Sequence, residues 1–231
     1  MGIGNHEMAL LSPTDQDRLR TEFSSMTRDV RLLFFTQTLE CPTCLQTRLI
    51  LDELLPLSSR ITIEEVNLIL DKDRVADYGI DRAPSVAIVS VNDSGEVLDS
   101  RIRFVGAPAG YEFVSLVRAV QLVGGSASTL SAASRERLDA LDHPVTLKVF
   151  STPTCPHCPK AVALANELAF ASPLVTAYAF EATEFPDLTR RYRVTGVPKT
   201  IVNDAAEILG AVPEDTFVEQ VIGGSGQEAV G

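Results

Sequence analysis

Several things are missing from this sequence, and each absence excludes a class of function. No run approaches 18 apolar residues, so no segment predicts a bilayer-spanning helix. The first residues, MGIGNHEMALLSPTDQD, lack a basic stretch followed by a sustained apolar one, so they do not read as a secretory signal. His6 stands where N-myristoylation needs Ser or Thr. Basic residues are few, 20 Lys and Arg against 31 Asp and Glu, for a formal charge of −11. Such a chain repels nucleic acid and anionic membranes at long range. The deficit is spread evenly: residues 1–124 carry 12 basic and 18 acidic groups, and residues 125–231 carry 8 and 13. There is no G-x-G-x-x-G nucleotide fingerprint. These absences together predict a cytoplasmic protein with no nucleic-acid or membrane partner. In reducing cytosol, structural disulfides are disfavoured.

What is present is ordinary globular composition, 45% apolar and 22% charged over 231 residues, enough for two domains of usual size. All four cysteines fall in two C-x-x-C pairs, Cys41-Pro-Thr-Cys44 and Cys155-Pro-His-Cys158. The pairs belong to an internal repeat. Cys41 and Cys155, Tyr78 and Tyr192, and Pro84 and Pro198 are each separated by 114 positions. Three landmarks at one offset indicate two copies of one fold. Beyond the prolines the offset falls to 111 at Asn92 and Asn203, and to 104 at Gly106 and Gly210. The first copy therefore carries about ten extra residues in its last strand pair.

Each copy reads as strand, helix, strand, helix, strand, strand, helix. The runs 31–36 and 145–150 are β-rich and end just before their cysteines. A helix then opens at the cysteines, with Pro42 and Pro156 suited to its first position. Strands follow at 61–68 and 175–180, and short helices end at Tyr78 and Tyr192. Two more strands turn at Asn92-Asp93 and Asn203-Asp204. A last helix, over 111–122 or 214–222, closes on Gly124-Gly125 or Gly223-Gly224. Segments 10–28 and 128–142 predict an extra helix before each unit, with Ser12 as an N-cap. The expected fold is α/β, two units at 1–124 and 125–231, each with a mixed central sheet flanked by helices.

The C-x-x-C at a helix start and the later proline resemble the two landmarks of the thioredoxin fold. Two such units in one chain are similar to the protein disulfide oxidoreductase (glutaredoxin-like) family. The likeness is strongest at Thr152-Pro-Thr-Cys-Pro-His-Cys-Pro159 and at Val197-Pro198-Lys199-Thr200. The resemblance implies cis bonds before Pro84 and Pro198. It also implies that Ala83 and Val197 offer backbone groups to a bound peptide.

Thiol–disulfide exchange needs one thiolate that attacks and a second thiol that resolves the mixed disulfide. A helix N-terminus favours the anion. Cys41 and Cys155 are therefore the expected nucleophiles, and Cys44 and Cys158 the more buried resolving thiols. A protonated His157 would add to thiolate stability and make the second pair less reducing than the first. Cys-Pro-His-Cys is also the motif of the strongly oxidising bacterial periplasmic thiol oxidase. Thioredoxin proper places a buried acid six residues before its first cysteine; Phe35 and Val149 occupy those positions here. Glu40 and Glu181 are the alternative acids, although each reads more readily as a solvated side chain. His6 and His143 have no partner nearby in sequence. Tyr78 and Tyr192 read as packing residues.

The expected activity is a thiol–disulfide oxidoreductase that reduces, forms or isomerises protein disulfides. Its only redox groups are the two cysteine pairs, with no other cofactor and no metal. Electrons come from a separate reductase, a thioredoxin-reductase-like flavoprotein or glutathione. The first alternative is an electron relay between a flavoprotein reductase and a peroxiredoxin. A second is a peptide-docking protein that uses no thiol chemistry. A third is a structural zinc protein with all four cysteines as ligands. Against it stands the 111-residue gap between Cys44 and Cys155, where zinc pairs are commonly about 15–20 residues apart.

Overall fold

The computed structural model describes residues 11–226. The expectations for His6 and the first ten residues lie outside that range. The first unit runs α1 (Pro13–Phe23), β1 (Asp29–Thr36), α2 (Cys44–Asp52), β2 (Ile61–Asn67), α3 (Lys72–Asp77), β3 (Ser85–Val91), β4 (Val97–Val105) and α4 (Tyr111–Val123). The second runs α5 (Ala132–Asp139), β5 (Val145–Ser151), α6 (Cys158–Ala171), β6 (Val175–Glu181), α7 (Pro186–Arg191), β7 (Lys199–Val202), β8 (Ala206–Leu209) and α8 (Glu214–Ser225). Both extra N-terminal helices are present. Ser12 caps α1 by accepting from the Asp15 N–H, with Pro13 in the first turn where its missing donor costs nothing. Ser131 caps α5 in the same way through Ser134.

Two boundaries differ from the sequence reading. α2 and α6 begin at the second cysteine of each motif, with Thr43 and His157 as N-caps, so Pro42 and Pro156 lie ahead of the helix. The first cysteine is thereby left in the turn, where its sulfur can face the free N–H groups. At the other end, Gly223 and Gly224 do not terminate α8, which continues to Ser225. Gly224 serves packing instead: a Cβ there would come within 2.7 Å of the Ala206 methyl.

The expected pair of sheets is one sheet of eight strands, ordered β2-β1-β3-β4-β6-β5-β7-β8. β4 and β6, each an edge of its own half, pair in parallel, from Ile102 opposite Ala177 to Val105 opposite Phe180. Pairing removes two exposed edges that would otherwise template aggregation. β1, β4, β5 and β6 all run in one direction, so their C-terminal ends share one rim of the sheet.

Alternation along the strands sorts the core into two layers. Val30, Leu32 and Phe34 of β1 face a large cluster with α2, α4, α6 and α8. That cluster is continuous across both units. Leu33 and Phe35 face the opposite side, under α3, with Val66, Ala87 and Val89. Phe150, Phe180 and Leu188 form the corresponding cluster under α7. Tyr78 packs on Phe35 at 5.8 Å and Tyr192 on Phe150 at 5.6 Å between ring centroids. Each large apolar side chain buried this way contributes about 1.5–3 kcal/mol.

The units also lock at the rim. Gly110 precedes α4 with φ +59°, and the Tyr111 N–H donates to the Pro153 carbonyl at 2.9 Å. A Cβ on Gly110 would lie 2.2 Å from that same oxygen, which is backbone and cannot swing aside. Gly95, with φ +82°, has open space around it. Both Gly→Ala changes carry the left-handed backbone cost, but only Gly110→Ala adds the collision. Gly95→Ala should lower unfolding free energy by about 1 kcal/mol and Gly110→Ala by at least twice that. Urea unfolding of the two variants checks this, and equal losses would show that the rim contact is not rigid.

Candidate active sites

The two motifs sit at one rim of the sheet. β1 ends at Thr36 and delivers Cys41 through a short loop; β5 ends at Ser151 and delivers Cys155. Each pair is closed as a disulfide, Cys41–Cys44 and Cys155–Cys158, with Cα separations of 5.4 and 5.5 Å. In each pair the first sulfur is nearer solvent. Cys41 is half-buried and Cys44 is 8% exposed, while Cys155 is 8% and Cys158 0% exposed. At the second site the Cys158 N–H donates to Cys155 Sγ at 3.1 Å. The α6 N-terminus thus aims a free donor at the sulfur expected to carry charge. The four cysteines lie in two separate bridges, and among the described residues no cluster of three or more metal-ligating side chains forms.

Both prolines expected to be cis are cis, at Ala83–Pro84 and Val197–Pro198. Pro84 and Pro198 are buried, and Ala83 and Val197 are half-buried. The Pro84 carbonyl accepts from Gly106 N–H and the Pro198 carbonyl from Gly210 N–H, each at 2.8 Å, which is the repeat seen at offset 104. Among the described residues the N–H and carbonyl groups of Ala83 and Val197 make no internal hydrogen bond.

His157 is exposed at the α6 N-terminus, and no side-chain capping bond fixes its ring. By the 114-residue offset it corresponds to Thr43. The two positions differ in their surroundings, because the Thr43 hydroxyl donates to Glu184 of the second unit at 2.5 Å. Around the first site Leu39 and Leu45 are exposed apolar side chains.

The acids fall out differently from their sequence reading. Glu40 is exposed. Glu181 is not solvated: it is 5% exposed and its carboxylate accepts from the Thr183 hydroxyl and the Thr183 and Glu184 N–H groups. Burial is tolerable there because the oxygens have donors. The buried acid that the sequence did not disclose is Glu112, in the first turn of α4 and 3% exposed. It shares a small cavity with Ser151 and Glu181, next to the Tyr111–Pro153 contact. Neither carboxylate oxygen has a hydrogen-bond partner in good geometry. Loss of water pushes its pKa up from 4.5 to about 7; the Ser115 and Ser151 hydroxyls pull it back slightly, and Glu181 adds to the rise. In sequence Glu112 reads as a common helix-start acid. Part of its surroundings, Ser151, Ala179 and Glu181, comes from the other unit, so no local signal could mark it.

Fold and sites together define two tandem thioredoxin-like units, each with a complete C-x-x-C pair closed as a disulfide. Comparison with known proteins agrees. Residues 145–223 match the thioredoxin domain family. The chain superposes on a protein disulfide oxidoreductase from Aeropyrum pernix with TM-score 0.83 and 27% identity, covering 95% of this chain and 96% of that one. It superposes on the NTD_N/C domain of the alkylhydroperoxide reductase AhpF from Enterococcus faecalis with the same score and identity, covering 91% and 99%. Among curated relatives it is 33% identical to the alkyl hydroperoxide reductase F subunit of Pseudomonas putida over 112 residues, 48% of this chain and 21% of that protein. It is 28% identical to an NADH dehydrogenase of Ferdinandcohnia aciditolerans over 180 residues, 78% of this chain and 31% of that protein. The chain therefore spans about a third or less of the curated relatives it matches. Among the described residues no helix is long and apolar enough to cross a membrane.

Glu112 yields a stability prediction with a definite sign. Its folded pKa lies above the unfolded value, so below about 4.5 it is neutral in both states and carries no penalty. As pH rises through 4.5 to about 7, the folded chain must either hold a proton or bury a charge, and stability is lost. Glu112→Gln removes that loss. The gain in unfolding free energy over wild type should widen by roughly 3 kcal/mol between pH 4.5 and pH 8. Denaturant titrations across that range measure it, and a gap independent of pH would rule out a buried titrating carboxyl.

Proposed function

We propose that this chain reduces, forms or isomerises protein disulfides through both C-x-x-C pairs. The observation that carries the reading is their matched geometry. Each disulfide lies at the same rim of one sheet, with the outer sulfur nearer solvent, and each unit has a cis-proline preceded by unused backbone donors and acceptors. An extended peptide can pair with Ala83 or Val197 as a strand pairs with an edge. Exposed Leu39 and Leu45 beside the first motif suit an unfolded, apolar segment.

The exchange runs in two steps. Cys155 thiolate attacks one sulfur of a substrate disulfide, forming a mixed disulfide and releasing the other substrate sulfur as thiolate. Cys158 then gives up its proton and attacks Cys155 Sγ, which closes the enzyme disulfide and releases the second substrate thiolate. Cys41 and Cys44 do the same at the first site. The reverse sequence forms a substrate disulfide. Glu112, half ionised near neutral pH and buried beside the loop that carries Pro153, is proposed as the acceptor for the Cys158 proton.

A second reading is favoured by the relatives. Several are alkyl hydroperoxide reductase F subunits of which this chain spans about a fifth to a quarter. In this reading the chain relays electrons from a flavoprotein to a peroxidase partner, and one pair passes them to the other. Glutathione is the alternative donor.

Insulin disulfide reduction coupled to dithiothreitol tests the main reading. Wild type should be active, and Cys41→Ser or Cys155→Ser should remove most turnover at its own site. Glu112→Gln should slow the second site at pH 7 at least tenfold, within the usual range for a lost proton acceptor. Inactive wild type, or full rates in both cysteine variants, would overturn the proposal.

A further inference from the structure

The first dithiol site contains a side chain from the other unit. Glu184 lies in the turn between β6 and α7, yet its Oε2 accepts from the Thr43 hydroxyl at 2.5 Å, between the two cysteines of the first motif. Its Oε1 accepts from the Ala107 N–H at 2.7 Å. Its own N–H donates to Glu181 Oε2 at 2.7 Å. The carboxylate is thus held by two donors, one on each oxygen, and its backbone by a third bond; a Cβ on Gly106 would sit 2.6 Å from Glu181 Cβ and press on the Glu184 carboxylate at 3.2 Å.

This carboxylate is not neutralised by a partner. Arg82, which precedes Ala83 and cis-Pro84, is bound to Asp81 and Asp187 and stacks on Phe185 at 5.1 Å. Among the described residues no cation pairs with Glu184. The other acid facing this turn, Glu181, adds charge of the same sign. The second site is built the other way. Its equivalent of Thr43 is His157, and among the described residues no acid hydrogen-bonds to residues 155–158.

We propose that Glu184 is a positioning residue that makes Cys41–Cys44 the more reducing of the two pairs. The inference rests on the dithiol reading above. Reduction of this disulfide takes two electrons from an external dithiol, which leaves as its own disulfide. It takes one proton if Cys41 remains thiolate and two if both sulfurs become thiols. A fixed negative charge hydrogen-bonded to the residue between the two cysteines raises the free energy of a thiolate in that turn. The Thr43 hydroxyl proton, directed at Glu184, is also withheld from that thiolate. Both effects favour the disulfide and make the dithiol a stronger donor. The charge comes from the second unit, so the first site acquires its character only when the two units are joined.

The test is Glu184→Gln in the full chain carrying Cys155→Ser and Cys158→Ser, so that only the first pair reports. The amide keeps an acceptor for Ala107 and a partner for Thr43 while losing the charge. In glutathione redox buffers the variant's equilibrium should move toward dithiol by about tenfold, equivalent to about 30 mV. The pH midpoint for alkylation of Cys41 should fall. In the reciprocal Cys41→Ser, Cys44→Ser background the same change should leave the second pair's equilibrium within twofold. Unchanged equilibrium and midpoint at the first pair would overturn the role of Glu184, as would equal shifts at both pairs. A wild-type first pair that glutathione can neither reduce nor reoxidise would overturn the dithiol reading itself.

Discussion

The parallel pairing of β4 with β6 is the contact on which the rest depends. It turns two half-sheets into one and aligns the strand directions, so that both cysteine loops emerge at a single rim. It also brings the loops after β4 and β6 side by side, between the two disulfides. Everything unusual about the sites arises in those loops. Glu112 becomes buried because the second unit covers the start of α4. Glu184 reaches Thr43 because the turn after β6 ends beside the first motif.

The repeat suggests two equivalent sites, and the shared seam makes them unequal. Neither unit places an acid six residues before its first cysteine, where Phe35 and Val149 stand. Here each unit supplies a carboxyl to its neighbour's surroundings. One is desolvated and close to half ionisation at neutral pH. The other accepts from the Thr43 hydroxyl and the Ala107 N–H. One glutamate is buried without well-placed donors and the other is held by two, so the same chemical group meets two different environments within one molecule. Burying Glu112 without a well-placed partner costs stability once its carboxyl must ionise.

The sheet seam also explains why Gly110 and Gly106 stand where they do. Both have positive φ, and both let backbone of one unit approach the other more closely than a side chain would allow. These glycines hold no chemistry. They set the distance between loops that do.

Element order, the two-fold repeat, the four cysteines and both prolines were legible in the sequence, because each leaves a local mark: β-rich runs, a fixed offset of 114, turn residues at Asn92 and Asn203. Helix ends were legible only in part. Gly223-Gly224 has the form of a stop, but packing against Ala206 carries α8 past it. The seam left no mark, since β4 and β6 carry the same apolar alternation whether their edges meet each other or water. The acids were hidden for the same reason. Glu112 and Glu184 look like ordinary surface glutamates until a segment far away in sequence, 141 residues away in the case of Thr43 and Glu184, removes their water or supplies their donors. Sequence determined which chemistry the protein has. Tertiary structure decided how the two copies of that chemistry differ, because burial and long-range contact set the energy of a charge and neither is a property of the residue alone.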